Sequence, residues 1–236
     1  MDSEEYVLFD PHVHSSGISK CSHVTGMEIV DTRKSEGYGG IVLTNHCQPW
    51  YYTPQEHREF IKRFIAEYRA VKEYADNVGF RAFLGIEVTI SLPDVADWLL
   101  YGVDEKFLID SPCLYALTQK ELFTLCEKAE VAMVQAHPYR SSTLPRAAEY
   151  MHGMEINCTP CDVNTRETVI KEAEKRGIFV TCGTDYHGDA RPIKGGIYLP
   201  SSVNNAGKMA EYLLNTPFTK LKLGEEIFDV PTGIKV

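Results

Sequence analysis

Two histidines separated by a single residue close an apolar run near the N-terminus, Tyr6-Val-Leu-Phe-Asp10-Pro-His12-Val-His14. Residues 6–9 are aromatic or aliphatic and uncharged, which predicts a buried strand. Along a strand, residues two apart point to the same side. His12 and His14 therefore aim two imidazoles at one point, with Asp10 on that side. Imidazole and carboxylate are ligands that borderline divalent cations take. Alone, the pair also fits two surface histidines at a strand end. The placement of the other polar residues decides against that bland reading.

Strand-like segments at 6–10, 40–44, 80–87, 97–103, 131–136, 153–157, 178–182 and 196–199 alternate with helix-like ones. Helices are predicted over 27–37, 54–77, 119–130, 165–176 and 203–214. Thr25 with Glu28, and Thr118 with Glu121, have capping-box spacing. Such alternation implies parallel pairing and closure as an α/β barrel, whose catalytic groups lie at the C-terminal ends of the strands. Here those ends carry the polar residues. His12 and His14 follow the first strand, Asn45-His46 the second, and Glu87 ends the third. His137-Pro138 follows 131–136, Glu155 lies in 153–157, and Asp185 and His187 follow 178–182. Five histidines at strand ends are hard to explain as packing, because each buried imidazole needs a partner. A polynuclear metal site accounts for all of them. His57 and His152 are expected on helices, facing solvent. The last twenty residues read as an irregular tail with a short strand at 220–223.

The 236 residues, 44% of them hydrophobic, suffice for one large core. One barrel domain over 1–236 is expected, with 201–236 as its C-terminal helix and tail. A net charge of −9 without a long basic run argues against nucleic acid backbone or an anionic membrane as partner. A nucleotide or short oligonucleotide stays open. No apolar run approaches membrane-spanning length and no signal-peptide pattern opens the chain. Seven irregularly spaced cysteines fit reduced thiols, so a cytoplasmic location is expected.

Taken in order, Asp10-x-His12-x-His14, Thr44-Asn-His46, Gly85-Ile-Glu87, Ala136-His137-Pro138 and Thr184-Asp185-x-His187 resemble the motifs of the PHP (polymerase and histidinol phosphatase) domain. The resemblance spans residues 6–200. It implies a distorted (β/α)7, TIM-like barrel that holds two to three divalent metal ions (Zn, Mn or Fe). The implied activity is hydrolysis of a small phosphorylated metabolite or nucleotide by a metal-activated water. His12, His14, His46, Glu87, His137, Asp185 and His187 are the implied ligands, with Glu87 as bridge. Asp185, His187 and Glu87 are the implied catalytic residues: Asp185 orients the water, and His187 or His14 protonates the leaving oxygen. Two departures stand out. Asn45 occupies a position where the family commonly has Asp. Ser19 and Lys20 stand where it usually has an Asp or His, and Cys21, His23 or Asp104 are candidate extra ligands.

A phosphate ester also calls for fixed positive charge. Arg140, three residues after His137, Arg191, four after His187, and Lys20 are candidates, each equally compatible with an exposed surface cation. Cys158-Thr-Pro-Cys161 lacks the helix-start context of a redox pair. Trp50-Tyr51-Tyr52 fits either a stack on a substrate ring or an apolar cover on the helix at 54–77. No Walker loop, GxGxxG or GxSxG occurs. Two other functions compete. A metal-dependent amidohydrolase shares the HxH but wants a bridging lysine at mid-chain, and no suitable one follows a strand. A metal-stabilised binding module without catalysis is favoured by Asn45 and by the missing acid after the HxH pair.

Overall fold

The computed structural model describes residues 5–140, 143–158, 164–188 and 194–233. In chain order the strands are β1 (Tyr6–Val13), β2 (Gly40–Leu43), β3 (His46–Cys47), β4 (Arg81–Ile90), β5 (Ala96–Tyr101) and β6 (Ala132–Gln135). They continue with β7 (Gly153–Asn157), β8 (Phe179–Gly183), β9 (Gly195–Pro200), β10 (Phe218–Leu223) and β11 (Glu226–Pro231). Between them lie α1 (Gly26–Ser35), α2 (His57–Asn77), α3 (Glu105–Asp110), α4 (Gln119–Lys128), α5 (Arg166–Arg176) and α6 (Ala206–Asn215). Thr25–Glu28 and Thr118–Glu121 form the capping boxes that their spacing predicts, and Thr53–Glu56 forms one before α2. Gly177 ends α5 at φ 66°, a left-handed position that costs glycine nothing sterically.

Seven strands lie side by side in the order β1-β2-β4-β5-β6-β7-β8. They are buried along nearly their whole length, as strands covered on both faces must be. The ring closes just beyond β8. Val13 bridges to Tyr186, His14 N donates to Tyr186 O at 2.9 Å, and Tyr186 N donates to His12 O at 3.3 Å. One edge of β1 is thus divided: residues 6–9 pair with β9, and residues 12–14 meet the segment after β8. This is the distorted seven-stranded, TIM-like barrel that the motifs imply. β9, β10 and β11 extend the sheet from β1 as an antiparallel meander. Among the described residues, no helix is long and apolar enough to cross a membrane.

Three expectations are corrected. Pairing is not parallel throughout: β5 runs antiparallel to both β4 and β6. Only residues 91–95 separate β4 from β5, too few for a crossover helix, so the chain must turn back as a hairpin. The expected irregular tail is the β10–β11 hairpin, in register from Phe218↔Pro231 to Leu223↔Glu226. Its inner residues Thr219, Leu221 and Val230 are buried, alternating with Lys220, Lys222 and Asp229. The third concerns His57 and His152. His57 opens α2 but is partly buried, with Nε2 3.2 Å from Ser111 O. His152 lies on no helix; its Nδ1 accepts from Met133 N at 3.0 Å and its Nε2 meets Glu127 at 2.7 Å.

Candidate metal centre

Glu87, at the point where β4 passes the barrel mouth, has no exposed surface. Its Oε1 lies 3.5 Å from His12 Nε2 and 3.2 Å from His137 Nε2. Its Oε2 lies 3.4 Å from His14 Nε2 and 2.7 Å from His46 Nδ1. Asp185 Oδ1 approaches the two β1 histidines, 3.3 Å from His12 Nε2 and 3.2 Å from His14 Nε2. Three groups of potential ligand atoms result, each lying within 4.8 Å of one another: His12, His14, Glu87 and Asp185; Glu87, Asp97 and His137; and His14, His46 and His187. The His14 ring stacks on both His46 and His187, at 4.3 Å from each.

The donor set fits divalent cations. His12 Nε2, His14 Nε2, His46 Nδ1 and Glu87 Oε2 are buried without a well-directed hydrogen bond. Buried polar atoms are nearly always satisfied. A cation with nitrogen and oxygen ligands satisfies these together. The charges point the same way. Burial pushes the Glu87 carboxyl up, but His46 and His12 hold it well below the usual range. Asp185 is likewise held well down, against burial, by His12, His14 and Arg140. Burial opposes the charge on His12, yet Glu155, Asp185 and Glu87 lift it well above an ordinary imidazole. Burial also opposes His46, which Glu87 raises to about 10. Burial and the neighbouring His46 keep His14 well below its ordinary value.

Neighbouring residues aim these ligands. Glu155, on β7, holds His12 Nδ1 at 2.8 Å with Oε1 and accepts His137 N at 3.1 Å with Oε2. A carboxylate on Nδ1 fixes the proton there and leaves Nε2 as the lone pair. Asp185 O does the same for His187 Nδ1 at 2.8 Å. Asp10 does not join the cluster. Its carboxylate pairs with the Arg33 guanidinium, 2.9 Å from Nε, and accepts from Thr184 Oγ1 at 2.6 Å and Thr184 N at 3.1 Å. Arg33 in turn donates to Thr184 Oγ1 at 2.9 Å, which ties the Asp185–His187 segment to β1 and α1. His137 at φ 29° and Asp185 at φ 53° sit in the left-handed region, strain of about 1–3 kcal/mol each that the surrounding bonds sustain. Asn45 Oδ1 accepts from Ser15 N and Ser19 Oγ, both at 2.8 Å, and Asn45 Nδ2 donates to Ser15 Oγ. An amide serves there because the partners require both an acceptor and a donor.

All seven implied ligands, His12, His14, His46, Glu87, His137, Asp185 and His187, meet in this cluster. Arg140, about one third exposed, places Nη1 2.5 Å from Asp185 Oδ2. Lys20 is exposed and lies over the Tyr51 ring at 5.0 Å, and Tyr51 meets His46 edge-on at 6.0 Å. Arg191 and Cys161 lie outside the described residues. Trp50 is exposed, whereas Tyr52 is buried and stacks on Phe60 at 3.9 Å. Cys158 is buried with Sγ 3.6 Å from Cys182 Sγ. His23 is exposed and belongs to none of the three groups. Asp104 is corrected: it caps α3, accepting from Phe107 N at 2.6 Å. Because β5 is antiparallel, the residues after it emerge at the opposite end of the barrel. The same reversal brings Asp97, near the start of β5, to the mouth, 3.8 Å from His137 Nε2. Asp97 was missed by looking only after strands; the short 91–95 connection was the available signal.

No family model matches the sequence, and no curated protein matches it. Solved structures do. A two-domain protein from Bacteroides vulgatus, containing a predicted PHP-like metal-dependent phosphoesterase, aligns with TM-score 0.66 at 20% identity. The alignment covers 96% of this chain and 67% of that one. An amidohydrolase from Chromobacterium violaceum, with bound sulfate and no metal, aligns with TM-score 0.58 at 15% identity over 86% of this chain and 95% of its own. A lesion-specific endonuclease from Pyrococcus furiosus aligns with TM-score 0.60 at 12% identity, over 89% of this chain and 56% of its own.

Proposed function

Proceeding from a fold shared with a PHP-like phosphoesterase, we propose that this chain is a metal-dependent phosphoesterase of the PHP type. Its substrate is a small phosphorylated metabolite or a nucleotide. One observation carries the reading: buried ligand atoms of His12, His14, His46 and Glu87, none with a well-directed hydrogen bond, converge beside a guanidinium, Arg140, that reaches the surface. His12, His14, Glu87 and Asp185 would hold one ion, Glu87, Asp97 and His137 a second, and His46 with His187 a third. Bound divalent ions (Zn, Mn or Fe) supply Lewis acidity toward phosphoryl oxygens and acidify a water toward neutral pH. Arg140 keeps Nη1 on Asp185 and offers its remaining N–H groups to a phosphoryl oxygen. Asp185, ionised and strained into place, would orient the attacking water. Glu87, which faces four imidazoles, keeps the ligand groups together. Glu155 holds His12 in the tautomer that presents Nε2.

The amidohydrolase reading draws support from the shared fold of the Chromobacterium violaceum protein. Against it, no lysine is buried among the described residues, so none bridges the cluster. The test is hydrolysis of phosphate monoesters, phosphate diesters and amides by the zinc- or manganese-loaded chain. Phosphate-ester turnover that a chelator abolishes is expected. Turnover of amides alone would replace the proposal with the second reading, and inactivity across all three would leave the binding module.

A further inference from the structure

We propose that Ser19 is a positioning residue for His14: its hydroxyl, held by Asn45, can only accept from the His14 ring, which keeps the His14 proton on Nδ1 and leaves Nε2 bare for a cation. What the bare nitrogen binds rests on the metal-centre reading above; where the proton lies rests on the hydrogen bonds alone. Ser19 lies in the loop after β1, and Ser15, Ser19, Asn45 and His14 are all buried. Cys21 and His23, in the same loop, are exposed and fall in none of the three ligand groups.

The order of the protons follows from groups that can act in only one way. Ser15 N, a donor only, lies 2.8 Å from one terminal atom of the Asn45 side chain, which must therefore be the carbonyl oxygen Oδ1. The Asn45 amide nitrogen then donates to Ser15 Oγ at 2.9 Å, and Ser15 Oγ donates to the Glu67 carboxylate of α2 at 2.7 Å. Gly17 leaves room for that carboxylate, since a Cβ there would come within 2.2 Å of Glu67 Oε2. Ser19 Oγ lies 2.8 Å from the same Asn45 Oδ1, an acceptor only, so the single Ser19 hydroxyl proton points there. Toward its two other neighbours Ser19 Oγ can only accept, from His46 N at 3.1 Å and from His14 Nδ1 at 3.3 Å. One hydroxyl thus holds two ligands, His46 by its backbone and His14 by its ring. With its proton on Nδ1, neutral His14 presents the Nε2 lone pair to Glu87 Oε2 at 3.4 Å and Asp185 Oδ1 at 3.2 Å. Three acceptor atoms then face one another, an arrangement that a bound cation satisfies. Glu155 fixes the His12 ring with a charge; Ser19 fixes the His14 ring with a neutral hydroxyl whose proton is already committed.

Long-range proton–nitrogen correlation NMR of the metal-free full chain, recorded where the His14 ring is neutral and assigned with His14→Gln, reads which ring nitrogen carries the proton. Nδ1 is expected. Asn45→Leu removes the acceptor that holds the Ser19 hydroxyl, and Ser19→Ala removes the hydroxyl itself. In both, the proton should move to Nε2, where Asp185 and Glu87 accept it, and zinc affinity should fall about 10–100-fold in competition with a chromophoric chelator. Asn45→Asp keeps an acceptor for Ser19 and should keep both the Nδ1 proton and the affinity, which a merely space-filling role would not predict. Circular dichroism checks the fold of each variant, and Ser19→Ala carries the test if Asn45→Leu does not fold. A proton on Nε2 in the unaltered chain, or one that stays on Nδ1 in Ser19→Ala, would overturn the role of Ser19 and leave the metal centre standing. An unaltered chain with the proton on Nδ1 that binds no zinc would overturn the metal centre and leave the hydrogen-bond order intact.

Discussion

Glu155 touches no proposed ion yet controls two ligands, because one oxygen holds His12 Nδ1 and the other the His137 backbone. Glu155→Gln keeps the shape but loses the charge that fixes the His12 tautomer. Metal affinity should fall about 10–100-fold, measured by competition with a chromophoric chelator. An unchanged affinity would reduce Glu155 to a buried spacer. Asp185→Asn and His12→Ala remove ligands outright. Each should abolish turnover and lower metal content while the far-ultraviolet circular dichroism stays unaltered; full activity in either variant would remove that residue from the site. Arg140→Ala should chiefly raise KM for phosphate esters, since its free N–H groups face substrate. An unchanged KM would make it a partner of Asp185 only.

At the scale of elements, the site depends on how the ring is closed between β1 and β8. That closure runs through Arg33 of α1, 2% exposed, which spans Asp10 on β1 and Thr184 beyond β8. Arg33→Ala leaves a buried carboxylate without its cation, at a cost of about 3–5 kcal/mol. Urea unfolding should show that loss, with weaker metal binding because the Asp185–His187 segment loses its anchor. A stability change below about 1 kcal/mol would mean that Asp10 is satisfied by Thr184 alone. The reversal of β5 belongs to the same scale. It sends Asp97 to the mouth and Asp104 to the opposite end.

For the whole molecule, the metal-free chain carries imidazoles whose protons are held by carboxylates. His12, His46 and His187 all lie above the ordinary histidine range despite burial. A raised folded-state value contributes stability that is complete below the unfolded value near 6.5 and is lost as pH rises through the folded one. For His46 that loss extends to about 10. The Tm of the metal-free chain should therefore fall from neutral pH toward that value. Ligation displaces the same protons, so zinc loading should flatten the dependence and release protons in a weakly buffered titration. A metal-free Tm that rises over this interval would contradict the charge arrangement.

The sequence by itself determined the barrel's repeating plan and the residues that meet at its mouth. Both follow from local rules: strand periodicity aims His12 and His14 together, and parallel strands deliver Glu87, His137, Asp185 and His187 to one end. Tertiary structure decided what strand direction and ring closure control. Asp97 was hidden because β5 runs backward, and Asp104 was misplaced for the same reason. Glu155 was visible as a carboxylate within a strand, but the His12 that it holds lies 143 residues away along the chain. The physical reason is range. A residue's type and the face it occupies are set by its immediate neighbours, whereas its partner is set by which strands lie side by side and in which direction they run.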